Sequence, residues 1–254
     1  MNCAIIYFSG TGNTEYVANI IKGEIEKNNI DVSLINIDNN SKLENIYDIY
    51  IFGCPIYAGL FPQYYIQWIK NNVPIVDNKK TMIFSTQGSN SGQGVNQLEE
   101  ILFKKGFSIF IKELIEMPNN YYLGAGFKPT EDDKKVELKK YAQRQCEVII
   151  EKFLKGESKI YRSSKVRYIG AKLMYSVFAK ISEKWAKSNL TVNFDKCIKC
   201  EKCVKDCPVN NIQIDLDKNI INFNEMCIGC QRCVHKCPTN AFLYKGKDIN
   251  QYKL

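Results

Sequence analysis

Cys3-Ala-Ile-Ile-Tyr-Phe-Ser9-Gly-Thr-Gly-Asn-Thr14 opens the chain with a short apolar run that feeds a glycine- and threonine-rich turn. Behind it, Val17, Ile20, Ile21 and Ile25 recur at helical spacing. The pattern predicts a buried strand, a tight loop and an amphipathic helix in succession. Ser9, Thr11 and Thr14 offer hydroxyls, while Gly10 and Gly12 let backbone amides converge at the helix N-terminus, which suits a dianionic phosphate. The loop holds no lysine or arginine. Neutral donors and the helix dipole therefore have to balance the charge, a scheme suited to a terminal phosphomonoester. A Walker loop is excluded because no Gly-Lys-Ser/Thr follows, and a dinucleotide fingerprint because Glu15 stands where its third glycine belongs. Taken alone, the segment also fits an ordinary strand-to-helix turn.

Outward from this unit, apolar runs follow at 32–37, 49–54, 81–86 and 107–117, alternating with helix-like segments near 62–70, 95–105 and 131–154. Strands alternating with helices imply a parallel sheet, here of five strands, with helices on both faces. Residues 49–69 carry no charge over 21 positions, yet Gly53, Pro55, Gly59, Pro62 and two glutamines interrupt them. A membrane span wants some 20 mainly apolar residues, so a buried strand, a loop and the start of a helix explain the stretch better.

Eight of the eleven cysteines occupy two copies of one spacing, Cys197-x2-Cys200-x2-Cys203-x3-Cys207-Pro208 and Cys227-x2-Cys230-x2-Cys233-x3-Cys237-Pro238. The copies are offset by 30 residues, and the likeness runs on through Cys207-Pro-Val-Asn-Asn-Ile and Cys237-Pro-Thr-Asn-Ala-Phe. This part of the chain is an internal duplication. Thiolate runs of this spacing that end in Cys-Pro resemble bacterial ferredoxins, which hold cubane clusters with them. Three thiolates from one tight loop cap three irons of a 4Fe-4S cube, and the fourth must come from elsewhere. The resemblance implies that each motif's last cysteine crosses to the other cluster, giving one ligand set of Cys197, Cys200, Cys203 and Cys237 and another of Cys207, Cys227, Cys230 and Cys233. Proline after the crossing cysteine keeps the local turn from continuing as helix. Structural zinc usually takes two separated Cys-x2-Cys pairs. A disulfide framework does not suit a chain of this length without a signal peptide, so the thiols are expected to be reduced and the protein cytoplasmic.

Ser9-Gly-Thr-Gly-Asn-Thr14 at the end of a first strand resembles the phosphate loop of flavodoxins, and Gly53-Cys-Pro-Ile-Tyr-Ala-Gly59 after the third strand resembles their flavin-flanking loop. Ser85-Thr-Gln-Gly-Ser-Asn-Ser-Gly92 sits where they place the other flavin loop. The resemblance implies an α/β fold, a flavodoxin-like doubly wound parallel sheet of order 2-1-3-4-5. Its ligand would lie beyond the carboxyl ends of strands one and three, where the order reverses. It also implies FMN, with Ser9, Gly10, Thr11, Gly12, Asn13 and Thr14 on the phosphate and Pro55, Ile56, Tyr57, Ala58 and Gly59 along the ring. Tyr57 would stack on that ring, though it fits a core aromatic equally well. Thr86, Gln87 and Gly88 would bond the ring's polar edge, with Asn120 and Tyr121 as further candidates. Cys54 stands where the family more often has threonine or serine; it, Cys3 and Cys146 read as core thiols.

The formal charge of +8 is uneven: residues 1–155 hold 17 Lys+Arg against 18 Asp+Glu, 156–190 hold 8 against 2, and 191–254 hold 10 against 7. No nucleic-acid-binding motif accompanies the basic middle. Residues 165–187 read as a helix with Val166, Ile169, Leu173, Val177 and Ile181 on one stripe and Lys165, Arg167, Lys172, Lys180, Lys184 and Lys187 around it. That stripe is expected to pack against a neighbouring domain. Peripheral contact with an anionic membrane and docking of an acidic redox partner are the other readings. The expected domains are 1–155 (FMN-binding), 156–188 (basic helical linker) and 189–254 (a small α+β ferredoxin domain with two clusters).

The whole chain resembles the flavodoxin and ferredoxin fusion proteins of anaerobic bacteria. The resemblance implies electron transfer between FMN and two 4Fe-4S clusters, a carrier between low-potential redox protein partners, with no catalytic residue of its own. The alternative is a flavin-dependent reductase of a quinone or nitro compound fed through the clusters. Against it stand the lack of a nicotinamide-binding motif and the presence of one histidine, His235, inside the second cysteine motif and expected to be a solvated loop residue.

Overall fold

Strand β1 (Asn2–Tyr7) carries side chains buried on both faces, as a central parallel strand requires. Helix α1 (Asn13–Glu26) covers one face by burying Val17, Ala18, Ile21 and Ile25. The chain continues through β2 (Asp31–Asn36), β3 (Ile49–Pro55), α2 (Gln63–Asn72), β4 (Lys79–Gln87), α3 (Gly94–Lys104), β5 (Phe107–Glu116) and α4 (Asp132–Leu154). The computed structural model describes residues 1–39, 43, 45–89, 92–123 and 127–254.

These strands pair in parallel in the order β2-β1-β3-β4-β5, as expected, and a two-residue strand β6 (Lys159–Ile160) extends the sheet to six beside β5. The expectation of five strands missed β6 because two residues carry no periodicity to read. Alternate side chains divide the interior between two layers. Cys3, Ile5, Ile51, Phe84 and Ile111 meet α1 and α4 through Ile21, Ala142, Cys146 and Phe153. On the other side, the Tyr65 hydroxyl of α2 donates to the Ile6 carbonyl at 3.0 Å. Gly53 admits the Phe84 ring so closely that a Cβ built there would overlap it. Cys3, Cys54 and Cys146 are fully buried, and burial alone pushes the Cys3 thiol up to about 12.

Two compact units divide the chain: Met1–Asn119 with Thr130–Tyr175, and Asn120–Pro129 with Ser176–Leu254. Helix α5 (Lys165–Asn189) contributes to both. In the first unit its Tyr175 hydroxyl accepts from the Gln63 amide at 2.8 Å, satisfying an N-terminal donor of α2. In the second, Trp185 and Ala186 enter a core with Leu190, Ile212, Val234 and Phe242.

The face of α5 expected to be packed is the exposed one: Val166, Ile169, Leu173, Val177 and Ile181 all lie open. Ala171, Tyr175, Ser182, Trp185 and Ala186 are buried instead. Small residues allow close approach and the two aromatics bring large contact areas, whereas hydropathy alone ranks the aliphatic stripe higher.

The second unit shows the duplication in its backbone. Strands β7 (Leu190–Val192), β10 (Phe242–Tyr244) and β11 (Lys247–Asp248) form one small sheet, and β8 (Ile212–Asp215) with β9 (Ile220–Phe223) forms another. Each cysteine motif contains one helical turn, α6 (Lys202–Lys205) or α7 (Arg232–His235), entered through a left-handed residue, Glu201 or Gln231. Asn210 and Asn240, also 30 positions apart, both take positive φ after their Cys-Pro pairs. The two halves fold by one local rule.

Candidate cofactor sites

At the carboxyl end of β1 the backbone turns through Ser9 to Gly12 into α1. Gly12 sits at the helix N-cap with φ 116°, a conformation closed to side-chain-bearing residues, and its amide donates to Ser9 Oγ at 3.1 Å. Asn13 and Thr14 open the helix and are buried. Both are tied into neighbouring strand ends: Asn13 Nδ2 donates to the Pro118 carbonyl at 2.9 Å, and Thr14 Oγ1 bonds Thr86 Oγ1 at 2.7 Å.

The loop after β3 joins the same cluster. The Ile56 amide donates to the Thr86 carbonyl at 3.0 Å, and Tyr57 and Leu60 exchange backbone bonds at 2.8 and 3.1 Å across a turn with positive φ at Ala58 and Gly59. Tyr57 is half-buried and meets Phe8 edge-on, centroids 6.5 Å apart. The Gly59 carbonyl accepts from the Gln93 amide at 2.6 Å, and the Gln87 carbonyl from Met117 at 2.9 Å. Ser9–Thr14, Pro55–Gly59 and Thr86–Gly88 thus converge at the carboxyl ends of β1, β3 and β4, at the point where strand order reverses. Asn90 and Ser91 of the third loop lie outside the described residues.

These residues fit a flavin mononucleotide. A glycine-capped helix end with hydroxyls and no cation suits a phosphate. Gln87, 8% exposed, keeps an Nε2 donor with no hydrogen-bond partner among the described residues. A buried amide donor without a partner costs free energy, and a ring carbonyl or nitrogen would satisfy it. The contributions of Pro118 and Gln93 had no signal in the sequence, because both reach the cluster through backbone atoms. Asn120 and Tyr121 belong to the second unit. There the Asn120 carbonyl faces His235 Nε2 at 3.1 Å, and the Tyr121 ring meets Phe127 and Phe178 at 6.2 and 6.3 Å.

In the second unit, Cys207 lines one cavity together with Cys227, Cys230 and Cys233, and with Trp185 and Arg232. Burial pushes the Cys230 thiol up to about 12, opposed by Arg232, with Cys227 and Cys207 adding to the rise. Cys203 is raised by burial to about 11, opposed by the Val204 amide and reinforced first by Cys237 and then by Cys197. Cys207 therefore lies with the thiols of the second motif, and Cys237 is close enough to Cys203 of the first for their charges to interact. Backbone amides point at both crossing sulfurs: Asn211 to Cys207 Sγ at 3.2 Å and Ala241 to Cys237 Sγ at 3.3 Å. No trio of His, Cys, Asp or Glu among the described residues is arranged to hold a single metal ion. Four cysteines around one cavity fit a polynuclear cluster, whose irons would supply the charge that makes buried thiolates stable.

His235 is a correction to the expectation of a solvated residue: it is 7% exposed. Its Nδ1 accepts from the Tyr252 amide at 3.1 Å, so Nε2 carries the proton and donates to the Asn120 carbonyl. The imidazole is a structural pin for the segment around Asn120, a role its sequence position gave no hint of.

Comparisons with known proteins cover both parts of the chain. Residues 4–119 match the model of the flavodoxin domain family, and residues 196–242 that of the 4Fe-4S dicluster domain. The flavodoxin of Clostridium beijerinckii is 37% identical over 103 residues, 38% of this chain and 72% of that protein. The flavodoxin of Megasphaera elsdenii is 28% identical over 121 residues, 46% of this chain and 88% of that protein. Among solved structures, oxidised flavodoxin 1 from Bacillus cereus is 21% identical with a TM-score of 0.46, covering 61% of this chain and 98% of that one. The chain belongs to the flavodoxin family and joins its flavodoxin domain to a 4Fe-4S dicluster domain, a flavodoxin and ferredoxin fusion that works in electron transfer with FMN and two 4Fe-4S clusters.

Proposed function

We propose that the protein is an electron carrier that passes electrons between its FMN and its two clusters and serves low-potential redox protein partners in the cytoplasm. The observation that carries this reading is that one polypeptide holds both the loops converged at the ends of β1, β3 and β4 and a cavity on which Cys207 of one cysteine motif joins Cys227, Cys230 and Cys233 of the other. When bound, FMN exchanges two electrons and each cluster one, so the fusion can split electron pairs into single steps. The chain's own part is to hold and position. Ser9 to Thr14 would bind the phosphate, Thr86 to Gly88 would fix the ring's polar edge, and Tyr57 would cover it. Cys197, Cys200, Cys203 and Cys237 would carry one cluster and Cys207, Cys227, Cys230 and Cys233 the other.

The test uses protein purified anaerobically, with about eight irons and one FMN per chain. A carrier reduces a small acceptor only when a reductase is supplied, and cluster and flavin absorbances then bleach together. Steady-state oxidation of NAD(P)H with a quinone or nitro compound by the protein alone would overturn the reading.

A further inference from the structure

Helix α5 has two apolar faces, and the fold uses one of them. Ala171, Tyr175, Ser182, Trp185 and Ala186 are buried. On the other side, Val166, Ile169, Leu173, Val177 and Ile181 recur at three- and four-residue steps and so share one stripe of the helix. Val166 is 79% exposed, Leu173 67% and Ile181 63%. Single exposed aliphatics are ordinary on a protein surface, but a contiguous row marks an interaction site.

The charges on the same helix say what the row meets. Lys165, Arg167, Lys172, Lys180, Lys184 and Lys187 stand against Glu183 on the helix, a net charge of +5 (six minus one), and Glu225, which pairs with Lys184 at 3.3 Å and Lys187 at 2.9 Å, lowers it to +4 (five minus one). A second copy of the chain would bring an equal positive charge against it. An acidic protein would answer the lysines but leave five aliphatic side chains to be covered by a groove of matching length. An anionic bilayer answers both, since acyl chains take the apolar stripe and headgroups take the cations. No described helix is long and apolar enough to cross a membrane, so the geometry is that of a helix lying in the interface.

We propose that α5 docks the protein peripherally on an anionic membrane, with Val166, Ile169, Leu173, Val177 and Ile181 in the headgroup and acyl boundary and the flanking lysines on lipid phosphates. The surface would concentrate the carrier in two dimensions beside membrane-bound redox partners.

The experiment is flotation of the full-length holoprotein with vesicles of phosphatidylcholine alone and of phosphatidylcholine with about 30% phosphatidylserine. Co-flotation is expected with the anionic vesicles, falling at high salt as screening shortens. Leu173→Glu combined with Val177→Glu should cut the bound fraction about tenfold or more, and Lys172→Gln with Lys180→Gln several-fold. These positions are exposed, so flavin and cluster spectra should be unchanged in each variant, which separates loss of docking from loss of fold. Protein that stays at the bottom of the gradient with anionic vesicles overturns the proposal, as does flotation indifferent to both variants. Concentration-dependent dimerisation that the Leu173 and Val177 changes abolish, without flotation, also overturns it and assigns the stripe to a second copy.

Discussion

Replacing Cys207 with alanine tests the crossed ligation directly, because its outcome depends on which other cysteine is removed with it. The structure places Cys207 on the cavity lined by Cys227, Cys230 and Cys233, 20 residues or more downstream. Each cluster accounts for about four of some eight irons, so Cys207→Ala alone should leave about four. Cys207→Ala with Cys230→Ala should also leave about four, since both changes strike one cluster and the second adds nothing. Cys207→Ala with Cys200→Ala strikes both clusters and should leave almost none. The non-additivity of one pair and additivity of the other is a double-mutant cycle read in iron atoms rather than in energy. The assay is anaerobic purification with iron and FMN quantified per chain, supported by electron paramagnetic resonance of the reduced protein. Two nearby paramagnets broaden one another, and a lone one does not. Flavin content is the internal control, because the cysteines lie in the other unit. If the Cys207 and Cys230 pair loses all its iron while the Cys207 and Cys200 pair retains half, ligation is local and the crossed assignment is wrong.

Three further outcomes follow from single contacts. Thr14→Val removes the buried hydroxyl pair with Thr86 at 2.7 Å. It should cost about 1–2 kcal/mol in stability and weaken FMN binding, read by urea denaturation and by flavin fluorescence on titration; equal affinity and stability would remove Thr14 from the phosphate loop's machinery. Gly53→Ala puts a Cβ into the Phe84 ring, so about 1–3 kcal/mol should be lost to strand displacement, and an unchanged denaturation midpoint would contradict the close approach. Lys112, 3% exposed, holds Glu99 Oε2 at 2.6 Å and Asn96 Oδ1 at 2.7 Å. Glu99→Gln leaves that ammonium short of its counter-charge and should cost about 2–3 kcal/mol, less than a fully buried pair because Glu99 is partly exposed. Adding Lys112→Met should recover most of it, and a double variant no more stable than the single one would show that packing, not charge, sets the effect.

The run from Cys3 to Thr14 and the doubled cysteine motif carry the resemblances to flavodoxins and ferredoxins, and with them the expectation of FMN and two 4Fe-4S clusters. Both are local: the strand-to-helix loop is built within a dozen residues, and the first three cysteines of each motif stand three positions apart in one short stretch of chain. Strand and helix positions in the first unit were legible to within a few residues for the same reason, since burial on both faces of a central strand leaves an uninterrupted apolar run. Only the tertiary structure decided which side of α5 is covered. Val166, Ile169, Leu173, Val177 and Ile181 outrank Ala171, Tyr175 and Trp185 in hydropathy pattern, yet burial follows the residues that let backbones approach or that stack on a neighbour, as Trp185 does on Tyr244. It also decided that His235 is buried against Tyr252 and Asn120, because a residue's partners 17 and 115 positions away leave no trace in its own neighbourhood. Periodicity reports that a helix has an apolar face; the rest of the fold determines whether that face meets protein or is left for something else.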